Sequence, residues 1–544
     1  MDAPIELVDS DALMDTCALM AERQKLSGTA EELASMQAIR AKLDGFGYRT
    51  TLLSHDAYIS LPGAASVRID GGAPRAITHS FSRAGSVTAP VVYVGDGGAA
   101  DFAGRNLRGA IVLAEGIASP VLADLARQAG AAGQLHISPH EHLHEMCISP
   151  VWGSPGTRTV ELLPATIACT ISNADGGALR DRLAKGETPV VTLSAEVDTG
   201  WRKTPILVAE MGPAGEAGDE PFVLFSGHHD TWYFGVMDNG SANATMVECA
   251  RVLALRRAEW RRGLRLCFWS GHSHGRYSGS SWYVDTHWDE LERLCAVHVN
   301  VDSTGGMGAS TLSEAASAPE LAAVAAEAIR AETNQAHEGK RNARNSDMTF
   351  WGVGVPSMLG SLSQQPADGG KMRNALGWWW HTPEDLLDKV DPANLVRDTR
   401  VFVRVLWRLL TAPVLPLDYA AHARALIEVL GGLGDGMAVD DLLVAAAAVR
   451  DKAPALLDLE PERANRALMQ LSRALVPMEN TDGDRFVHDP ALPQTAWPVL
   501  DPIRALAGCA PERMGFARVD ATRARNRLLH ALRQANRALD AALG

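Results

Sequence analysis

Ser226-Gly-His-His-Asp-Thr-Trp-Tyr-Phe-Gly-Val-Met-Asp-Asn-Gly-Ser241 is a polar loop between two apolar neighbours. Before it, Phe222-Val-Leu-Phe225 reads as a buried strand; after it, residues 242–255 carry apolar side chains at helical spacing. A strand therefore runs into a loop holding His228, His229, Asp230 and Asp238, and then into a helix. In open α/β sheets ligands gather beyond the carboxyl ends of strands. Imidazole and carboxylate brought together there are ligands for a divalent metal. The alternative for this loop taken alone, less favoured than a metal, is that its histidines only hydrogen-bond.

The pattern recurs downstream. Leu264-Arg-Leu-Cys-Phe-Trp269 runs into Ser270-Gly-His-Ser-His-Gly275, and Ala296-Val-His-Val-Asn-Val301 ends at Asp302-Ser-Thr-Gly305. Trp378-Trp-Trp-His-Thr-Pro-Glu-Asp385 sets His381 before Pro383 and Glu384, which suit a helix start. Further strands are predicted over 205–210 and 355–359, with helices near 241–256, 282–292, 314–332 and 392–411. This alternation implies a mostly parallel sheet covered on both faces. Consecutive strands then deliver His228, Asp230, Asp238, His272, His274 and Asp302 to one sheet edge. Several such loops in a row favour a shared metal site over isolated hydrogen-bonding histidines.

The remainder reads as flanking modules. A helix is predicted over 8–45 and a strand over 48–61. Short β-like runs follow at 89–94, 109–113 and 133–137, with a helix over 121–130, so the block 60–200 reads as a β-rich insert. After 416 the pattern is helical, ending in an arginine-rich amphipathic helix over 520–543 that suits packing or dimerisation. With 544 residues the chain exceeds one core. A net charge of -14 argues against a nucleic-acid partner. No apolar run approaches the ~20 residues that span a bilayer, and the first residues lack a signal-peptide pattern. The seven scattered cysteines form no CxxC pair, so neither a disulfide framework nor a cysteine zinc site is expected, and the expected compartment is the cytoplasm.

Together, Gly227-His-His-Asp-Thr-Trp232, Met237-Asp-Asn-Gly-Ser241, Asn300-Val-Asp302, Asn345-Ser-Asp347 and His381-Thr-Pro-Glu-Asp-Leu-Leu-Asp-Lys-Val390 resemble the zinc aminopeptidase superfamily that contains glutamate carboxypeptidase II and the transferrin receptor. The resemblance implies an α/β metallopeptidase-like domain over 1–59 and 201–415, a protease-associated insert over 60–200 and a helical dimerisation domain over 416–544. It also implies a divalent transition metal, zinc by expectation, as one or two ions. His228 and Asp302 would hold one and His381 the other, with Asp238 bridging and Asp230 orienting His228. The implied activity is hydrolysis of an amide bond in a small, carboxylated molecule or short peptide by metal-activated water.

One segment departs from the family. A glutamate pair, general base and metal ligand, belongs after Trp269, yet no acid lies between Glu259 and Asp285. Counted from Trp269, His272 takes the base position and Ser273 the ligand position. Counted from Gly279-Ser280, Ser273 and His274 take them. Accordingly His272 is a candidate base and His274 a candidate ligand, while a non-peptide reaction (lyase or other hydrolase) and a non-catalytic receptor-like role stay open. For the substrate, Arg341 and Arg344 could fork onto a carboxylate beside Asn345, with Lys371 and Arg373 as weaker candidates. Trp378, Trp379 and Trp380 suggest an aromatic wall; Trp380 replaces a tyrosine usual in the family. Trp152 is a second candidate wall residue. His140, His142 and His144 alternate as on an extended segment, forming either a polar loop or a further metal site. The expected assembly is a homodimer with neither nucleic acid nor membrane as partner.

Overall fold

The computed structural model describes residues 2–214, 220–338, 341, 346–366, 375–434 and 436–544. Its strands are β1 (Arg49–Ile69), β2 (Ala76–Thr78), β3 (Gly85–Tyr93), β4 (Ile111–Glu115), β5 (Gly133–Ile137), β6 (Ile167–Ile171), β7 (Val190–Met211), β8 (Phe222–His228), β9 (Gly263–Trp269), β10 (Cys295–Asp302) and β11 (Ser357–Ser361). They form one hydrogen-bonded sheet in the order β11-β10-β8-β9-β7-β3-β4-β5-β6-β2, with β1 on β7. β11, β10, β8 and β9 run parallel, as the strand–loop–helix alternation predicts.

β8, β9 and β10 are buried along their whole length because helices cover both faces. Val223 and Phe225 enter one core with Met246 and Phe402, whereas Phe222 and Leu224 enter the other with Trp269, Tyr283 and Phe350. Alternate side chains of an extended strand face opposite ways, so an uninterrupted apolar run here serves two cores.

The strand expected over 205–210 is the end of the much longer β7, which is antiparallel to both β9 and β1. Through β1 and β7 the block between them is tied into the host sheet. That block is less exclusively β than its sequence suggests: β3 to β6 run parallel and alternate with helices Pro120–Gln128 and Asn173–Ala184. It has its own core of Val91, Ile111, Leu113, Leu135 and Ile171.

The single helix predicted over 8–45 is two, Ser10–Ala21 and Ala30–Gly45, capped by Asp9 and Thr29. The break carries Lys25, whose ammonium donates to the carbonyls of Met20 (2.7 Å) and Phe234 (2.8 Å), and it brings Ser27 beside the loop after β8. The tail packs as Tyr419–Gly431, Asp440–Lys452, Pro461–Asn480 and Met514–Leu543, its apolar faces continuous with one core of the sheet. No helix among the described residues is long and apolar enough to cross a membrane.

Candidate metal centre

β8 ends at His228. Its Nδ1–H donates to the Asp230 carbonyl (2.8 Å), which turns Nε2 toward two carboxylates: Asp238 Oδ1 at 3.2 Å and Asp302 Oδ1 at 3.5 Å. The other oxygen of Asp238 lies 3.0 Å from His381 Nε2. One carboxylate is thus shared between two imidazoles, and the structure brings His228, Asp238, Asp302 and His381 together as the sequence predicts.

The buried charges here perturb one another strongly. Burial alone would push the His228 imidazole down, yet Asp302 and Asp238 hold it well above its ordinary range. Burial would raise Asp238, yet His228 and His381 hold it well below the usual carboxylate range. At His381 burial wins, and the imidazole is lowered despite Asp238. His228 Nε2 and Asp238 Oδ1 are buried and face each other without a formed hydrogen bond. Lone pairs converging on a buried point fit a divalent ion.

Several residues that the sequence left without a role hold this arrangement. Asp385 accepts the backbone N–H groups of Met237 (2.8 Å) and Asp238 (3.0 Å). Asn239 donates to the His228 carbonyl (3.1 Å) and accepts from the Ser303 N–H (2.9 Å), stapling the ends of β8 and β10. Ser346 and Ser303 donate to the two oxygens of Asp302 at 2.9 and 3.1 Å. Asp385 and Asn239 stand inside motifs already singled out, which was the available signal.

The loop after β9 separates its two histidines. His272 stacks on His228, with ring centroids 3.7 Å apart and planes 12° from parallel, and it offers a ligand atom within 4.8 Å of those of His228 and Asp302. Its Nδ1 is 2.8 Å from Asp347 Oδ2. Asp347 is wholly buried and also accepts from Ser280 Oγ (2.7 Å). His274 turns away: its Nδ1 meets Ser27 Oγ at 3.0 Å, its ring packs on Trp232 at 4.4 Å, and its backbone carbonyl accepts from Ser60 of β1. The structure does not bring His274 into the ligand group.

Asp230 also differs from expectation. Its backbone, not its carboxylate, orients His228. The wholly buried carboxylate accepts from the N–H groups of His272 (3.1 Å) and Ser273 (2.9 Å) and from Ser27 Oγ (2.6 Å). It therefore shapes the loop that presents His272.

His381 sits in a left-handed backbone conformation (φ 59°) within a turn; the helix predicted at Pro383 does not form, and Leu387–Lys389 is a short 3-10 turn. Two hydrogen bonds zip this turn to the insert. His381 Nδ1 donates to the Glu145 carbonyl (2.7 Å), and the Glu145 N–H donates to the His381 carbonyl (3.1 Å). His142 stacks on Trp378 (4.2 Å), and His144 Nδ1 meets the Trp380 carbonyl (2.5 Å). The 140–144 histidines are thus seated on the tryptophan run.

The substrate-facing expectations fare less well. Trp380 stacks on His381 (3.5 Å) and is 8% exposed, so it backs that imidazole, and the exposed indole of the three is Trp378. Arg341 is spent on Glu479 Oε1 (3.1 Å) and the Glu479 carbonyl (2.7 Å), so it is no carboxylate fork. Arg344, Asn345, Lys371 and Arg373 lie outside the described residues. Trp152 donates to Thr349 Oγ1 (3.2 Å), which pairs with Ser280 at 2.8 Å behind Asp347.

Residues 207–406 match peptidase family M28. A probable glutamate carboxypeptidase of Zea mays is 22% identical over 345 residues, covering 51% of this chain and 48% of that protein. The chain thus spans about half the length of the curated relatives it matches. Among solved structures, a peptidase M28 precursor from Shewanella amazonensis superposes with a TM-score of 0.61 at 19% identity, over 76% of this chain and 96% of the other. BSAP, a zinc aminopeptidase from Bacillus subtilis, gives 0.58 at 20% identity, over 74% and 96%. These likenesses establish the fold.

Proposed function

We propose that this chain is a member of the zinc aminopeptidase superfamily and a metal-dependent hydrolase cleaving an amide bond in a small molecule or short peptide, a reading supported by the match of residues 207–406 to peptidase family M28. The observation that carries this reading is the Asp238 carboxylate shared between His228 and His381, with Asp302 beside them. His228, Asp302 and Asp238 would hold one divalent ion, and Asp238 with His381 a second. Bound there, such an ion polarises a carbonyl and lowers the pKa of a coordinated water.

The protein's own groups supply the proton transfers. Asp347 keeps the His272 proton on Nδ1, leaving the Nε2 lone pair to take a proton from the attacking water. The resulting imidazolium stays paired with a buried carboxylate, and it can return the proton to the departing amine. His272 side-chain exposure of 15%, against 0% for His274, suits the residue that must reach solvent and substrate. With Arg341 occupied by Glu479, nothing among the described residues argues for a carboxylated substrate.

The test is turnover of an aminoacyl and dipeptide panel by zinc-loaded protein. Chelator-sensitive cleavage, lowered at least about 100-fold in His272→Gln, is the expected result. No turnover on that panel, with chelator-sensitive hydrolysis of non-peptide compounds, would transfer the site to the second reading, which the replacement of the glutamate pair by His272 and Ser273 favours. A homodimer formed through residues 416–544 belongs to the same proposal.

A further inference from the structure

A second group of ligating side chains lies where the helical tail meets the sheet domain. Glu320 stands in the turn Pro319–Leu321, His422 in the helix Tyr419–Gly431 and Glu479 near the end of Pro461–Asn480. None is more than 2% exposed. His422 Nδ1 lies 2.9 Å from Glu320 Oε2 and 3.6 Å from Glu479 Oε2, and one ligand atom from each residue falls within 4.8 Å of the others.

Charge and hydrogen bonding both leave this cluster incomplete. Two buried carboxylates face one guanidinium, Arg341, which takes Glu479 Oε1. Glu320 Oε1, Glu479 Oε2 and His422 Nε2 have no hydrogen-bond partner among the described residues. Burial pushes the Glu479 carboxyl up, and Glu320 holds the His422 imidazole above its ordinary value although burial alone would lower it. A proton on His422 Nδ1 serves Glu320 and leaves Glu479 Oε2 unpaired, whereas a divalent ion reaches all three residues. A tetrahedral ion bonded at about 2.0–2.2 Å sets its donors about 3.4 Å apart, a value the two observed separations bracket.

We propose that Glu320, His422 and Glu479 form a structural divalent-metal site, independent of the catalytic centre, that fastens the helical tail to the sheet domain. One imidazole with two carboxylates suits Zn2+ or Mn2+. The ion would join a link already begun by the backbone, where the Asp418 N–H donates to the Glu320 carbonyl (2.9 Å).

The test uses full-length chain stripped at the catalytic centre by His228→Ala, Asp238→Asn and His381→Ala, grown with Zn2+ or with Mn2+ and dialysed. Elemental analysis should find one ion per chain, and adding His422→Phe should remove it. Chelation should lower the Tm of the first protein by about 3 °C or more and leave that of the second unchanged. A stripped chain holding neither metal, with a Tm indifferent to chelator, overturns the proposal and leaves a proton on His422 as the cluster's cation. Should the stripped chain not fold, wild type against Glu479→Gln decides the matter: the content falls by one ion per chain, or equal contents refute the site.

Discussion

Asp230→Asn tests how the loop after β9 is held. The wild-type carboxylate is wholly buried and accepts three hydrogen bonds, from the N–H groups of His272 and Ser273 and from Ser27 Oγ. Burial would raise its pKa, but His274, His228 and His272 hold it well below the usual carboxylate range. A group depressed in the folded state contributes its stability above its unfolded pKa and loses it as pH falls below, so at pH 7 the contribution is complete. An asparagine keeps one acceptor oxygen and turns an NH2 toward the loop, so one backbone N–H faces a donor. An orphaned buried donor costs about 1–3 kcal/mol, and hydrogen bonds to a charge are worth about 1.5–3 kcal/mol each against about 1 for neutral ones. The expected loss is therefore about 2–4 kcal/mol, read by urea unfolding of chelated protein at pH 7; Ser27→Ala should lose about 1 kcal/mol. Because His228 Nδ1 is held by the Asp230 backbone, zinc affinity should fall less than 10-fold. Stability within about 0.5 kcal/mol of wild type, combined with a 10–100-fold loss of zinc affinity, would refute this and return the carboxylate to orienting His228.

Two further outcomes follow from buried polar groups. Asp347→Asn removes the charge behind His272 while Ser280, also within reach of Thr349, can accommodate the amide; kcat should fall at least about 10-fold with KM and zinc content nearly unchanged, and unaltered kcat would rule out His272 as base. Burial pushes His55 to about 4, His298 to about 3 and His79 well below its ordinary value. Such groups take up protons first in the unfolded chain, so their contribution is full above about pH 6.5 and is lost as pH falls toward 4. Each such group should therefore deepen the loss of stability between pH 8 and pH 5.5 by about 1.4 kcal/mol; His298→Gln, followed by urea unfolding of chelated protein at both values, should shrink that loss by this amount, and an unchanged loss would contradict the assignment.

What the sequence made legible was set by periodicity. β8, β9 and β10 are short, mostly apolar and followed by polar loops, so both their existence and their common edge could be read. β7 could not be read as a unit. Its first residues, Val190 to Ala195, alternate exposed or half-buried with buried positions, the stretch 196–203 is exposed or half-buried, and Thr204 to Met211 are buried apart from half-buried Glu210, because one strand leaves the insert's surface and enters the host core. The break between Ala21 and Ala30 was hidden by helix-forming residues on both sides, and only Asp9 and Thr29, as caps, marked two starts. At Pro383 local preference was overridden: the Asp385 carboxylate is drawn to the Met237 and Asp238 amides, which holds the segment in a turn.

The site divides along the same line. Residues ending strands, His228 and Asp302, needed only the strand pattern. Residues whose role depends on which way a loop turns did not show it in their spacing. Arg341 and Glu479 are 138 positions apart, so nothing near Arg341 in the sequence announces that its guanidinium is already paired. The His-Ser-His segment admits two registers because Gly271 and Gly275 let its loop fold either way around a single extra residue. Contacts from outside decide between them. Ser60 of β1 takes the His274 carbonyl, Ser27 its imidazole, and Asp230 both following amides of Gly271, which leaves His272 to lie flat on His228. An imidazole in that position with a buried aspartate on its far nitrogen has what a proton acceptor needs without a glutamate. On the proposed function, the missing acids after Trp269 mark a change of base, beside His228, Asp238, Asp302 and His381, which stand together as the sequence predicts.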